Sequence, residues 1–137
     1  MKLVEGEAPM FEKLEITAMA QSMASHAGAR LGAISQNMTN ADTPGYKTRD
    51  VEDFSTVWAS SQTGGGMRAT RKGHLGSAAQ DMTPKVVPGH GISAPNGNSV
   101  SLEGEMVKAV EVRQQHDMAL AIYRNTSDII RASLGRR

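Results

Sequence analysis

The sequence predicts a mainly α fold: two long terminal helices forming a coiled-coil-like pair, joined through a Gly/Pro-rich, partly extended or disordered middle segment. Three observations carry this expectation. Apolar residues from Ile16 to Met38 recur at gaps of three and four, the stripe of an amphipathic helix. A second set from Leu102 to Leu134 approaches a 3.5-residue spacing, as in helices that pack side by side. Between them, residues 55–101 hold 8 of the 14 Gly and 3 of the 5 Pro, and their apolar periodicity is weak.

The chain divides accordingly into an N-terminal extension (1–10), a helix with its terminating turn (11–54), the middle segment (55–101) and a C-terminal helix (102–137). In the first helix the stripe is Ile16, Ala20, Met23, Ala27, Leu31, Ile34 and Met38, with no proline among them. Gly28 and Gly32 lie four apart on one face. Each weakens a helix by roughly 1 kcal/mol relative to Ala. They read first as tolerated glycines and second as a smooth strip for another helix. The helix is expected to stop near Asn40, because Asn accepts the left-handed conformation that ends helices and Pro44 cannot continue one. Thr43-Pro44-Gly45-Tyr46 has Pro second and Gly third, the pattern of a type II turn whose third residue needs positive φ.

In the middle segment, Gly64-Gly65-Gly66 and Pro95-Asn96-Gly97-Asn98 mark turns. So long a stretch without structure is unusual inside a compact domain. It either forms short strands and turns or orders on binding. Residues 54–100 carry a net charge of +3 and the flanking parts together −2.

The C-terminal helix is expected from Leu102 to Leu134, with Ser101 as N-cap and Glu103 and Glu105 in the first turn, where the helix dipole favours anions. Gly135 suits its end. Two rows follow from the spacing: Leu102, Ala109, His116, Tyr123 and Ile130, interleaved with Met106, Arg113, Leu120, Ser127 and Leu134. At about 1.5 Å per residue the two helices are roughly 43 and 50 Å long. A two-helix pair buries little, so apolar stripes of this width imply packing against copies or relatives of the chain.

Composition excludes several chemistries. Among 137 residues there is no cysteine, hence no disulfide framework, Cys-based zinc site or thiol catalysis. Aromatics make up 4% of the chain, so a core must come from Met, Leu, Ile, Val and Ala. The net charge of +1 lacks the basic excess of a free-standing nucleic-acid-binding domain. No apolar run is long enough to span a membrane, and no secretory signal is read at the N-terminus. His26, His74, His90 and His116 show no metal spacing, and His116 reads as a packed or interfacial histidine. Gly64–Gly66 lacks phosphate-loop spacing, and no GxSxG or nucleophile–base pairing occurs. The expectation is a non-enzyme with no cofactor, no metal and no concave pocket. The cluster Arg68–His74 reads as a solvated loop or protein contact, with nucleic acid or anionic lipid as a second reading.

One segment is far more specific. Ser35 to Asp50 resembles the N-terminal signature of bacterial flagellar axial proteins, the rod/hook family, with Asn37, Asn40, Thr43, Pro44, Gly45 and Tyr46 matching residue for residue. The chain looks most like the short proximal rod members. Arg49-Asp50-Val51 followed by Phe54, Thr70–Leu75 and Asn96–Met106 resemble those members too, so the likeness runs from about residue 11 to the end. Val112 and His116 stand where family members usually have Asn and Tyr. The resemblance implies a structural subunit of the proximal rod of the flagellar basal body, in the periplasm, that assembles by helix packing into a torque-transmitting tube. It implies self-assembly, other rod proteins and base-of-rod or MS-ring components as partners, and export by the flagellar type III apparatus without a cleaved signal. It marks Asn37, Asn40, Thr43, Pro44, Gly45, Tyr46, Glu105, Met106, His116 and Tyr123 as signature or subunit-contact residues. On this reading Asn40 caps the helix carbonyls, Pro44-Gly45 fixes the turn and Tyr46 anchors against a neighbour. The alternatives are a sister proximal rod protein, an ordinary helix stop with no intersubunit role, or a helical adaptor working through Arg68–His74.

Overall fold

The computed structural model describes residues 8–63 and 84–135. Along these run α1 (Ala8–Thr39), β1 (Arg49–Val51), α2 (Phe54–Thr63), β2 (Val86–Pro88) and α3 (Leu102–Ser133). The two long helices are as expected. α1 begins at Ala8, earlier than the helix read from Phe11.

Asn37 near the end of α1 bonds Glu105 in the first turn of α3. Farther along, Met23 and His26 line the same small hollow as Gln115. The helices are therefore antiparallel. Their shared core is Ala27, Ile34 and Val112, with Leu31, Met38 and Ala109 packed against it. On α1 the buried row is Ala20, Ala27 and Ile34; on α3 it is Glu105, Val112, Ala119 and Thr126. Both rows repeat every seven residues, the period that keeps one face toward a partner. Their alanines hold few side-chain atoms between the backbones, so the helices approach closely and bury little apolar area.

The seam on α3 corrects the rows read from the sequence. Of the first, Ala109, His116 and Ile130 are half-buried, while Leu102 and Tyr123 are exposed. Of the second, Met106, Arg113 and Leu134 are exposed. The seam lies one residue ahead of the second row, through Glu105 and Thr126. A hydrophobic pattern skips both, because their burial depends on hydrogen bonds and not on apolarity. Thr126 meets its need locally, donating to the Ile122 carbonyl at 2.8 Å.

α3 starts as expected: the Ser101 hydroxyl accepts from the Gly104 N–H at 3.3 Å. It stops as expected too, with Gly135 at φ +76°. The middle segment departs from expectation at its start, where α2 is helical. Its signal was faint: Phe54, Val57 and Trp58 share one side of an otherwise Ser/Thr-rich run of low helix propensity. Val57 is buried, and Phe54 stacks on Trp58 at 6.0 Å and meets the His26 ring edge-on at 5.6 Å. β1 and β2 pair antiparallel, with Arg49 opposite Pro88 and Val51 opposite Val86. The Gly64–Gly66 run, the Arg68–His74 cluster and the Thr70–Leu75 match lie outside the described residues.

Candidate functional site

The signature residues gather where α1 ends, β1 begins and α3 starts. Asn37 is the centre. It is fully buried, and its amide is used completely. Nδ2 donates to the Arg49 carbonyl at 2.7 Å and to Glu105 Oε2 at 3.0 Å. Oδ1 accepts from the Arg49 N–H at 3.0 Å and from the Tyr46 hydroxyl at 3.3 Å. Toward Arg49 the side chain acts as a neighbouring strand's peptide would, occupying the edge of β1 that β2 leaves free. One residue thus joins α1, the turn, the strand and α3.

Glu105 is also buried, and its second oxygen takes the Lys108 ammonium at 3.0 Å. Lys108 lies 3.7 Å from Asp50, which Arg30 grips through Nε at 3.0 Å. Val51 N–H adds a 2.8 Å bond to the same carboxylate. Burial pushes the Asp50 carboxyl up. The Arg30 and Val51 hydrogen bonds and the charges of Arg30 and Lys108 outweigh it and hold the carboxyl below its ordinary value.

The turn follows the expected form. Tyr46 N–H donates to the Thr43 carbonyl at 3.3 Å, and Gly45 sits at φ +75°. The helix stop does not follow the expected form. Among the described residues no non-glycine has positive φ, so Asn40 does not leave the helix through the left-handed region. Its side chain donates back to the Gln36 carbonyl at 2.8 Å and accepts from the Thr43 hydroxyl. The principal cap comes from elsewhere in the chain. Asn98 Nδ2 reaches the carbonyls of Asn40, Ala41 and Thr43 at 2.9, 2.7 and 2.9 Å. Of these helix-end acceptors, the Ala41 carbonyl depends on Asn98, while those of Asn40 and Thr43 also take the backbone N–H groups of Thr43 and Tyr46.

Asn98 is held in turn. Its Oδ1 accepts from Val100 N–H at 2.7 Å, and its own N–H donates to Asn96 Oδ1. Gly97 at φ +82° lets this turn close, and a Cβ there would stand 3.3 Å from the Gly45 Cα. Below it, Thr48 and Ser99 join through the Thr48 N–H and both hydroxyls, with Thr48 Oγ1 donating to the Ser99 carbonyl at 2.6 Å. Asn98, Thr48 and Ser99 were not singled out from the sequence as site residues. Pro95-Asn96-Gly97-Asn98 was visible as a turn, but nothing local said which carbonyls it would meet.

The remaining candidates lie apart. Met106 and Tyr123 are exposed on α3. His116 is half-buried at the seam's edge, with Nδ1 3.9 Å from Asp117. Tyr46 is half-buried, and its hydroxyl donates to Asn37 within the chain. Contrary to expectation the surface has concavities, among them an open hollow of about 640 Å³ along Gly45–Arg49 and Val86–Pro88. Among the described residues no group of three acids or histidines could hold a metal, and no helix is long and apolar enough to cross a membrane. Every buried side-chain polar atom of the described residues has a partner inside the chain. The joint is therefore a clasp closed by the chain's own polar groups.

No family model matches the chain. It is similar to the flagellar basal body rod protein FlgB of Agrobacterium fabrum (strain C58), with 25% identity over 118 residues that cover 83% of this chain and 88% of the relative.

Proposed function

We propose that this chain is a structural subunit of the proximal rod of the bacterial flagellar basal body, acting as FlgB and not as its sister FlgC. The observation that carries the proposal is the likeness to FlgB along most of both chains. The signature from Asn37 to Tyr46 also forms the joint of the hairpin rather than a loop of no consequence. Assembly proceeds by helix packing. Large apolar residues stand exposed on several sides of α3, among them Met106, Val107, Val110, Met118 and Tyr123, as suits a helix meeting more than one neighbour. Met106, His116 and Tyr123 are the contact candidates. Asn37, Asn40, Thr43, Pro44, Gly45 and Glu105 set the angle at which the hairpin is presented, and the exposed part of the Tyr46 ring adds a contact. On this reading the partners are further copies, other rod proteins, base-of-rod and MS-ring components and the type III export apparatus. The chain reaches the periplasmic rod without cleavage and transmits torque without catalysis.

The test is deletion of the gene in the bacterium that encodes it. The expected strain is non-motile and yields no complete hook–basal bodies. A tagged wild-type copy restores swimming and co-purifies with basal bodies. A deletion strain that swims and builds filaments overturns the proposal.

A further inference from the structure

Near the open end of the hairpin, α2 leans on α1 and encloses a cup of about 250 Å³ lined by Glu12, Glu15, Ile16, Met19 and Trp58. Its walls are mostly apolar, with two exposed carboxylates at the rim. Gln62 Nε2 donates to one oxygen of Glu15 at 3.1 Å. Glu12 has no hydrogen-bond or ion-pair partner among the described residues. An indole, a thioether and a pair of carboxylates in one hollow suit a guanidinium on its aliphatic stem. The stem packs on the apolar wall, the cation lies by the indole, and the fork meets the carboxylates.

The chain itself carries such groups on the outside of α3. Arg124 and Arg131 are seven residues apart, so they share one side of the helix. Both are exposed. Arg131 has one ion-pair partner among the described residues, Asp128 at 3.5 Å, with the two side chains 80% and 71% exposed. A pair so solvated gives way readily to a drier one. We infer that the Glu12/Glu15/Trp58 cup of one copy receives an arginine from the Arg124/Arg131 side of α3 of a second copy. Charge complementarity between the cup's two carboxylates and these guanidiniums selects the occupant, with Asp128 the acid that Arg131 exchanges for them. The surfaces are different parts of the chain, so the contact is heterologous and repeats from copy to copy into a ring or a helix. The inference deepens the assembly reading and rests on it only in taking the chain to meet copies of itself.

The absence of cysteine makes the test direct. Full-length Gln62→Cys, beside the cup, is mixed with full-length Asp128→Cys, which lies between the two arginines on α3, and bridged with a short bismaleimide. Circular dichroism checks that each variant keeps its helices. The expected product is the mixed dimer, about tenfold above its random-collision share, the factor that a contact of about 1.4 kcal/mol gives. It falls to that share when Glu12→Gln/Glu15→Gln or Arg124→Ala/Arg131→Ala is added. It returns when Glu12→Arg/Glu15→Arg meets Arg124→Glu/Arg131→Glu. A mixed dimer at its random share overturns the inference. So does an intramolecular bridge in the Gln62→Cys/Asp128→Cys double variant, which would place the chain's own arginine in the cup. A motile deletion strain with an intact cross-link removes the rod reading and leaves this contact standing. A failed cross-link with a non-motile strain does the reverse.

Discussion

Asn98 and Asn37 carry roles that neither neighbour in sequence could supply. Asn98 serves three carbonyls that lie 55 to 58 residues away. Asn98→Ala leaves the Ala41 carbonyl and the Val100 N–H without their partner and takes one of two donors from the Asn40 and Thr43 carbonyls, at a cost of about 1–3 kcal/mol in unfolding free energy. Asn98→Asp is no rescue, because it sets a carboxylate against the same acceptors. Urea denaturation should find the aspartate at least as unstable as the alanine; an aspartate of wild-type stability would show that the cap is dispensable. Asp50 gives the clasp a pH dependence. Its carboxyl is held below the ordinary value of about 3.9, so the folded chain binds that proton less readily than the unfolded one. The stabilisation is complete above the ordinary value and is lost as pH falls through the lower folded value. Asp50→Asn should lower stability at neutral pH and flatten the acid limb of a stability–pH curve, and an unchanged acid limb would place the dependence elsewhere.

At the scale of the element, the two helices differ in how plainly they announce themselves. The α1 stripe was legible because the buried Ala20, Ala27 and Ile34 are apolar and fall on the row read from the sequence, although Ile16 on that row is exposed and the polar His26 and Asn37 are buried beside it. On α3 the existence, cap and end of the helix were legible, but its facing was not. Glu105 and Thr126 lie in the seam while Val107 and Val110 lie outside it, an arrangement opposed to hydropathy. On the proposed function, that outer face is the one offered to neighbours. α2 was missed because ten residues rich in Ser and Thr carry little helical propensity, and its support is tertiary, from His26 and the α1 surface. Neighbouring residues provide a check on the seam. Ala119 is fully buried and Met118 is 49% exposed. Ala119→Leu should cost about 1–3 kcal/mol by overpacking, whereas Met118→Leu should change stability by no more than about 0.5 kcal/mol. The reverse order in thermal melts would put the seam back on the sequence-read rows.

Over the whole molecule, stability is distributed unevenly. The clasp end holds the polar network of Asn37, Asp50, Glu105, Lys108 and Asn98. At the far end the buried seam positions are Ala20, Ala119 and Thr126, α2 adds the Gln62–Glu15 bond, and Leu14, Ile16, Tyr123, Ile129 and Leu134 are each at least 40% exposed. The hairpin is thus firm where the signature lies and sparsely packed where the cup and the arginines lie. On the proposed function, that division separates the part that fixes the subunit's own shape from the part left to neighbours.

The Asn98 cap also sets an order of events in time. A chain synthesised from its N-terminus presents the first helix and the entire signature well before residue 98 is made. Until then the Ala41 carbonyl has only water, and those of Asn40 and Thr43 lack their second donor. Closing so long a loop has an entropic cost, and the reward comes only when the ends meet. The signature therefore lacks its Asn98 and Glu105 partners until the late half arrives. A fragment ending at residue 63 should be mostly unstructured by circular dichroism, and adding a peptide of residues 94–135 should restore helix. A fragment that is fully helical alone would show that the joint needs no second half.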